Sequence, residues 1–369
     1  MEPNTSLSFN YSFTRGPSNR LNIDYVAAAK SFQSLPFPII DAHSHIHGRV
    51  ATKIYLDAAK LYGVQQTYSM SQIEEVPHVR EVAGDCVRFI CMPSFSAKDR
   101  LHAHGEGYKS LIGTFITHGA KVVKFWNAPR IYEWSSEPYV TNPFRLNSPL
   151  HYDVMRYSEQ QGMIFMTHIG DPDTWFATRY SDANKYGTKR QQYEDLEEVL
   201  SKFTRPWIGA HMLGYPEDLT FLSGLMSRYP HLYLDCSATK WIVRELSKHS
   251  REDLLAFFTQ WQDRILFGSD IFTSDSHLSS GENRSEMHAK ASSQDEAFAL
   301  YVSRYWALRT LFETDYQGES PIADPDLAMV DPNEFGPNDA PPMKGFSFPL
   351  ELLKKLYYDN SKGLLTDPT

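Results

Sequence analysis

Pro36-Phe37-Pro38-Ile39-Ile40-Asp41-Ala42-His43-Ser44-His45-Ile46-His47-Gly48 is an apolar run that ends in a cluster of imidazoles. Phe37, Ile39 and Ile40 favour extended backbone, and the two prolines sit where a strand begins. Side chains at i and i+2 of a strand share a face, so His43 and His45 point the same way at its C-terminal end. Neutral imidazole is the commonest ligand for zinc-like ions, and two supply half of a four-donor shell. His47 has the same parity but lies beside Gly48, beyond the strand, which makes it a pocket residue rather than a ligand. A His-x-His pair is also compatible with coincidence, so the missing donors must come from elsewhere.

Seven further short apolar runs follow, at 64–70, 86–92, 121–126, 163–168, 205–211, 231–236 and 264–270. Between and after them lie helical patterns at 51–61, 73–82, 107–118, 150–161, 191–203, 217–228, 240–260 and 296–312, several closed by glycine. The strands are continuously apolar rather than alternating, the mark of a parallel sheet covered by helices on its faces. Eight βα units make a closed (β/α)8 TIM barrel the first choice. An open doubly wound sheet is second, because the Gly-rich fingerprint after its first strand is absent. Residues 170–188 read as a long loop, 1–35 as an arm packed outside, 327–347 as a surface excursion and 349–358 as a final helix.

Length and composition agree with one large globular unit: 369 residues, 41% apolar and 22% charged. Lys plus Arg number 36 against 45 Asp plus Glu, a net charge of -9, which argues against nucleic acid as a partner. No segment approaches the ~18 consecutive apolar residues of a membrane span, and the N-terminus has no leader pattern. Cys86, Cys91 and Cys236 are odd in number, without a Cys-x-x-Cys pair, and read as buried reduced thiols. A cytoplasmic setting is therefore expected, and the Asn-x-Ser/Thr matches at Asn4, Asn10 and Asn283 are read as chance.

His43 and His45, His168, His211 and Asp270 all stand at C-terminal ends of expected strands, the first, fifth, sixth and eighth. In an αβ barrel these ends converge on one mouth, where active sites of the fold lie. Three imidazoles, from His43, His45 and His168, with the Asp270 carboxylate make a shell for Zn²⁺ with room for a water that the ion acidifies. His211 would face that water and the substrate, moving a proton near neutral pH. The donor types favour Zn²⁺, Mn²⁺ or Fe²⁺ over Mg²⁺ or Ca²⁺, with Zn²⁺ first.

The segments Ile40-Asp41-Ala42-His43-Ser44-His45, Met166-Thr167-His168-Ile169-Gly170 and Gly209-Ala210-His211 resemble the amidohydrolase superfamily. The strand at 264–270 and the tail Tyr357-Tyr358-Asp359-Asn360-Ser361-Lys362-Gly363-Leu364-Leu365 share the likeness. Within the superfamily it is nearest the amidohydrolase-related branch that includes aminocarboxymuconate-semialdehyde decarboxylase and lactone hydrolases. The resemblance implies a distorted (β/α)8 barrel over 36–366 that holds a metal at His43, His45, His168 and Asp270. It implies for Asp270 and His211 the catalytic proton transfers, and for His211 alternatively a second metal. Lys124, near the end of the fourth strand, matches either a carboxylated lysine bridging two ions or the unmodified lysine of the one-metal branch; one ion is the first reading. A homodimer is a further implication. The arm at 1–35 and the insertion at 315–348 fall outside the pattern.

Candidates for the substrate are Arg49, Arg130 and Arg179 in loops after the first, fourth and fifth strands, suited to a carboxylated small molecule, and Trp126 and Trp175, suited to a flat one. Asp41 reads as orienting the ligand strand, Asp235 as structural, Ser237 as a pocket residue, and Asp171 and Asp173 as turn formers. Three functions compete. The first is metal-dependent hydrolysis of a small ester, lactone or amide. The second is non-oxidative decarboxylation, or hydration, of an unsaturated or aromatic carboxylic acid by the same residues. The third, a non-catalytic binding barrel, predicts gaps in the donor set, and there are none.

Overall fold

β1 (Ile39–His45) is buried along nearly its whole length, as its unbroken apolar run requires. It is followed by β2 (Val64–Ser69), β3 (Val87–Phe89), β4 (Val122–Asn127), β5 (Ile164–Ile169), β6 (Trp207–Gly209), β7 (Leu232–Asp235), β8 (Ile265–Leu266) and β9 (Ile271–Phe272) in this computed structural model, which describes residues 10–281 and 285–366. The first nine residues of the arm and the motifs at Asn4 and Asn283 lie outside the described residues.

All pairings among these nine strands are parallel, in the orders β3-β2-β1-β9 and β4-β5-β6-β7-β8. Two seams join them into a ring. Cys91 N–H donates to Val122 O and Cys91 O accepts from Lys124 N–H, each at 2.8 Å, which ties the end of β3 to β4. At the other seam Ala42 N–H donates to Phe267 O at 2.9 Å and Asp270 N–H to His43 O at 2.8 Å. The expected eighth strand at 264–270 is thus two half-strands: β8 pairs with β7, β9 pairs with β1, and Asp270 turns the corner between them with φ 58°. This distorts the barrel at the carboxylate. Gly268 permits the close approach, since a Cβ there would lie 2.9 Å from that of His43 and 3.1 Å from that of Ser237.

The outer layer is helical, and its boundaries follow local chemistry. Ser148 caps the helix Pro149–Gln160 with proline at its first turn, and Thr188 and Gln191 form a reciprocal capping box that starts Lys189–Lys202. The long helix expected at 240–260 is two, Thr239–Leu246 and Arg251–Gln260, because Ser250 caps a new start. The loop at 170–188 contains the short helices Asp173–Phe176 and Ala183–Tyr186. The sixth strand stops at Gly209, two residues before His211. Cys91 and Cys236 are buried, whereas Cys86 is exposed, because it falls in the turn before β3 rather than in the strand.

The helix Gln294–Glu313 is buried nearly all round, which a surface helix would not be. The arm covers its outer side: Tyr11 stacks on Phe298 at 3.8 Å, Phe13 meets Tyr25 edge-on, and Tyr25 packs against Trp306. The insertion is more than a surface excursion. It forms the hairpin β10 (Gln317–Glu319) and β11 (Pro342–Lys344) and buries Asp324 and Asp326. No helix among the described residues is long and apolar enough to cross a membrane.

Candidate metal centre and active site

Three donors converge at the mouth. The Nε2 atoms of His43 and His45 lie 3.5 and 3.3 Å from Asp270 Oδ1, close enough to share one ion. Two imidazoles and a carboxylate are a donor set for a borderline divalent metal. Each donor is aimed from behind. His43 Nδ1–H donates to Asp235 Oδ2 at 2.8 Å, which leaves Nε2 with the free lone pair a metal needs. Asp41 accepts from the N–H groups of His43 (3.1 Å) and Ser269 (3.0 Å) and from Tyr305 Oη (2.8 Å), fixing β1 against the turn that carries Asp270. Burial raises Asp41 to about 6, against the opposing pull of its Ser269 and Tyr305 bonds.

Asp235, read from sequence as structural, is the hub of this support. Besides His43 it accepts from His211 N–H at 2.9 Å and from the Ser237 hydroxyl. Ser237 Oγ in turn accepts from His211 Nδ1–H at 2.7 Å, so His211 keeps Nε2 as a base. Burial holds the His211 imidazole well below its ordinary value and therefore neutral at pH 7. Burial would raise the carboxyls of Asp235 and Asp270, but the surrounding imidazoles outweigh it and keep both below the usual carboxylate range. The signal for Asp235 was present in sequence: it ends the seventh strand as the other site residues end theirs.

His168 lies 4.6 Å from His211, ring to ring. Its Nε2 is bonded to Asp171 at 2.8 Å, so only Nδ1 remains as a metal donor, and Asp171 is a buried imidazole partner rather than a turn former. His47 accepts from Gln72 N–H at Nε2 and donates from Nδ1 to His45 O; burial lowers it to about 4, and it is a neutral support beside the site. Lys124 is 3% exposed and its Nζ has no hydrogen-bond partner. Burial lowers it to about 8, against the pull of Asp235 and Asp270.

The residues expected to meet substrate divide. Trp126 stands edge-on to His168 at 6.4 Å between ring centres. Trp175 sits one indole further out, 6.0 Å from Trp241, which the sequence reading missed although it follows β7 as Trp175 follows β5. Trp241 is 6.2 Å from His168 and 5.8 Å from His211. Arg179 lies over Trp175 and near Glu133, and Arg130 is exposed beyond β4. Arg49 turns outward: it opens the helix Arg49–Leu61, and its guanidinium pairs with Glu81 in an outer groove with Lys53 and Asp57.

The backbone is strained where the chemistry collects. Of seven non-glycine residues with positive φ among those described, His211, Met212, Leu213, Ala238 and Asp270 are five, all just beyond strand ends of the mouth. Such residues cost about 1–3 kcal/mol each and persist only where packing over-determines them. Gly209 is part of that packing, because a Cβ there would fall 2.4 Å from the Leu213 side chain.

Residues 90–365, well over half of the chain, match a protein family described as amidohydrolase. The chain belongs to that family. This amidohydrolase is therefore an enzyme of a metal-dependent superfamily, and the span matched begins after β3, so that His43 and His45 lie outside it. Solved structures similar to it include an amidohydrolase from Burkholderia multivorans, 10% identical, covering 74% of this chain and 93% of that one with a TM-score of 0.40. The 5-carboxyvanillate decarboxylase of Sphingomonas paucimobilis is 10% identical over 74% and 98% of the two chains, at 0.39. Its namesake from Novosphingobium aromaticivorans, complexed with manganese and 4-hydroxy-3-methoxy-5-nitrobenzoic acid, is 9% identical over 89% and 96%, at 0.41. Likeness at that level is too distant to transfer a residue. No curated protein matches the sequence.

Proposed function

We propose that the chain is a metal-dependent hydrolase of a small ester, lactone or amide. The observation that carries the reading is the convergence of His43 Nε2, His45 Nε2 and Asp270 Oδ1 beside a neutral imidazole, His211, whose Nε2 is left unbonded by its Ser237 contact. The donors would hold one borderline ion, zinc first and manganese or iron next, with His168 as a fourth donor through Nδ1. When bound, such an ion supplies Lewis acidity toward a carbonyl and a lowered pKa for water. His211 takes the proton from the attacking water, and the Ser237–Asp235 pair stabilises the charge it acquires. Asp270, held ionised, serves chiefly as a donor and secondarily as a proton acceptor. The second cluster, His43, His211 and Asp235, is already hydrogen-bonded internally, which supports one ion over two.

A second reading, decarboxylation or hydration of a carboxylated substrate, is favoured by one feature: the buried, unpartnered ammonium of Lys124, in electrostatic reach of Asp235 and Asp270, suits a carboxylate. Elemental analysis of protein prepared without chelator, followed by screens of esters, lactones, amides and unsaturated acids, tests both. The hydrolase reading expects about one metal per chain, an unmodified Lys124 by intact mass, and turnover lost on chelation and restored by Zn²⁺. Turnover indifferent to metal removal sinks it. Release of carbon dioxide replaces it with the second reading.

A further inference from the structure

Two of the three tryptophans at the mouth, Trp241 beside the imidazoles and Trp175 behind it, are fastened by the insertion. Asp326, 7% exposed, accepts at Oδ2 the indole N–H of Trp175 at 2.8 Å and of Trp241 at 3.0 Å. The two rings come from the segments after β5 and β7, so one carboxylate oxygen gathers parts of the mouth that are remote in sequence. Arg244 Nη1 is 3.4 Å from the same oxygen and also pairs with Asp324, which has Lys240 at 3.7 Å. The insertion is itself held by the arm: Ala323 N–H donates to Pro17 O at 2.7 Å and Arg20 N–H to Pro321 O at 2.9 Å. With the N–H ends bonded, both indoles remain partly exposed. Arg179 and Tyr180 pack on Trp175, so what the two indoles offer a ligand is the apolar surface these neighbours leave uncovered.

We infer that Asp326 is a positioning residue: it sets Trp241 beside His168 and His211 with Trp175 behind it as an aromatic wall, so that the site prefers flat, conjugated substrates to puckered aliphatic ones of similar size. The inference rests on the proposed site being where substrate binds. Benzoate and cyclohexanecarboxylate, titrated calorimetrically into the full metal-loaded protein, test it because they differ chiefly in flatness. The wild-type protein is expected to favour benzoate by roughly 10-fold, in line with the energies of aromatic pairs. Asp326→Asn, close in size but with an N–H₂ group to accommodate, is expected to cut that preference to about 2-fold or less, metal content unchanged. Trp241→Phe keeps a ring but loses one indole donor, and is expected to show a smaller loss of the same kind; it carries the test if Asp326→Asn fails to fold.

An intact preference in both variants, no preference in the wild type, or no binding of either probe overturns the inference. Elemental analysis of the same samples separates it from the proposed function. A protein that holds no metal, yet whose benzoate preference tracks Asp326, loses the metal centre and keeps the wall.

Discussion

The mouth of the barrel has two walls built in different ways. The polar wall, His43, His45, His211, Asp235 and Asp270, stands on or just beyond strand ends and is wired internally by hydrogen bonds of 2.7–2.9 Å such as His211–Ser237, His43–Asp235 and His211 N–Asp235. The aromatic wall, Trp126, Trp175 and Trp241, stands mostly on loops and helix starts, and its outer part depends on Asp326, 151 residues from Trp175. The first wall is fixed by the barrel. The second is fixed by what has been added to it. On the proposed function, chemistry and selectivity should therefore be separable by mutation.

The sharpest way to break the polar wall is Asp270→Asn. Asparagine tolerates the left-handed φ of this position, so the backbone survives while a charged donor is lost. Metal content by elemental analysis is expected to fall to near zero and turnover of any substrate found to drop at least ~1,000-fold, within the range removal of a catalytic metal allows. Unchanged metal occupancy would remove Asp270 from the centre. The corresponding blow to the aromatic wall is Arg244→Met. Arg244 is 2% exposed and pairs with Asp324, Asp326 and Glu245, and its loss leaves these buried carboxylates only the partial compensation of Lys240 and Lys248. Chemical denaturation should show a loss of about 3–5 kcal/mol, with the surviving folded fraction still binding metal.

Ser237→Ala probes the link between the walls and the proton. It removes the acceptor for His211 Nδ1–H, freeing the ring to turn, and kcat is expected to fall roughly 10- to 100-fold with metal content unchanged. Equal losses in kcat and metal occupancy would show instead that Ser237 acts through His43, which it also approaches at 3.0 Å.

The smallest effect lies behind the aromatic wall. His104 is buried among Trp134, Phe95 and Phe144, its Nε2 has no partner, and burial lowers it to about 3. Its folded pKa lies below the unfolded value near 6.5, so the unfolded chain takes up the proton first as pH falls. Stability from this group is full above pH ~6.5 and declines toward its folded pKa, by about 2 kcal/mol between pH 7 and 5. Denaturation of His104→Leu at the two pH values should show a pH dependence smaller by that amount; an unchanged dependence would assign the acid sensitivity to other buried groups such as His151.

The contrast between the walls also explains what could be read from the chain. The eight apolar runs announced the barrel, and His43, His45, His211 and Asp270 announced the mouth, because a strand end is marked by local pattern and the fold turns every such end the same way. Asp235 obeyed the same rule and was passed over for want of a role. Trp241 shared the signal of Trp175, a position just after a strand end, and was passed over; its meeting with Asp326 was not legible, because it depends on how an insertion folds back over the barrel. Arg49 misled for a related reason. It follows the right strand, but its direction was decided by Glu81, an acid on another helix. The division of the eighth strand was overlooked although Gly268-Ser269-Asp270 interrupts its apolar run with turn-forming residues, and Asp is one of the few types that tolerates the left-handed region it adopts here.

That turn makes the carboxylate a clasp. The bonds that complete the ring, from the N–H groups of Ser269 and Asp270 to His43 O, belong to the same few residues that present His43 Nε2 and Asp270 Oδ1. A chain whose first and last strands are apart has no assembled donor set, so an ion held at the proposed centre would bind only the closed form and stabilise it by mass action. Added metal should then slow amide hydrogen exchange most at Ser269, Asp270 and Ile271 and least in the arm; on that outcome the ion of the proposed centre is a fastener for the barrel as well as a reagent.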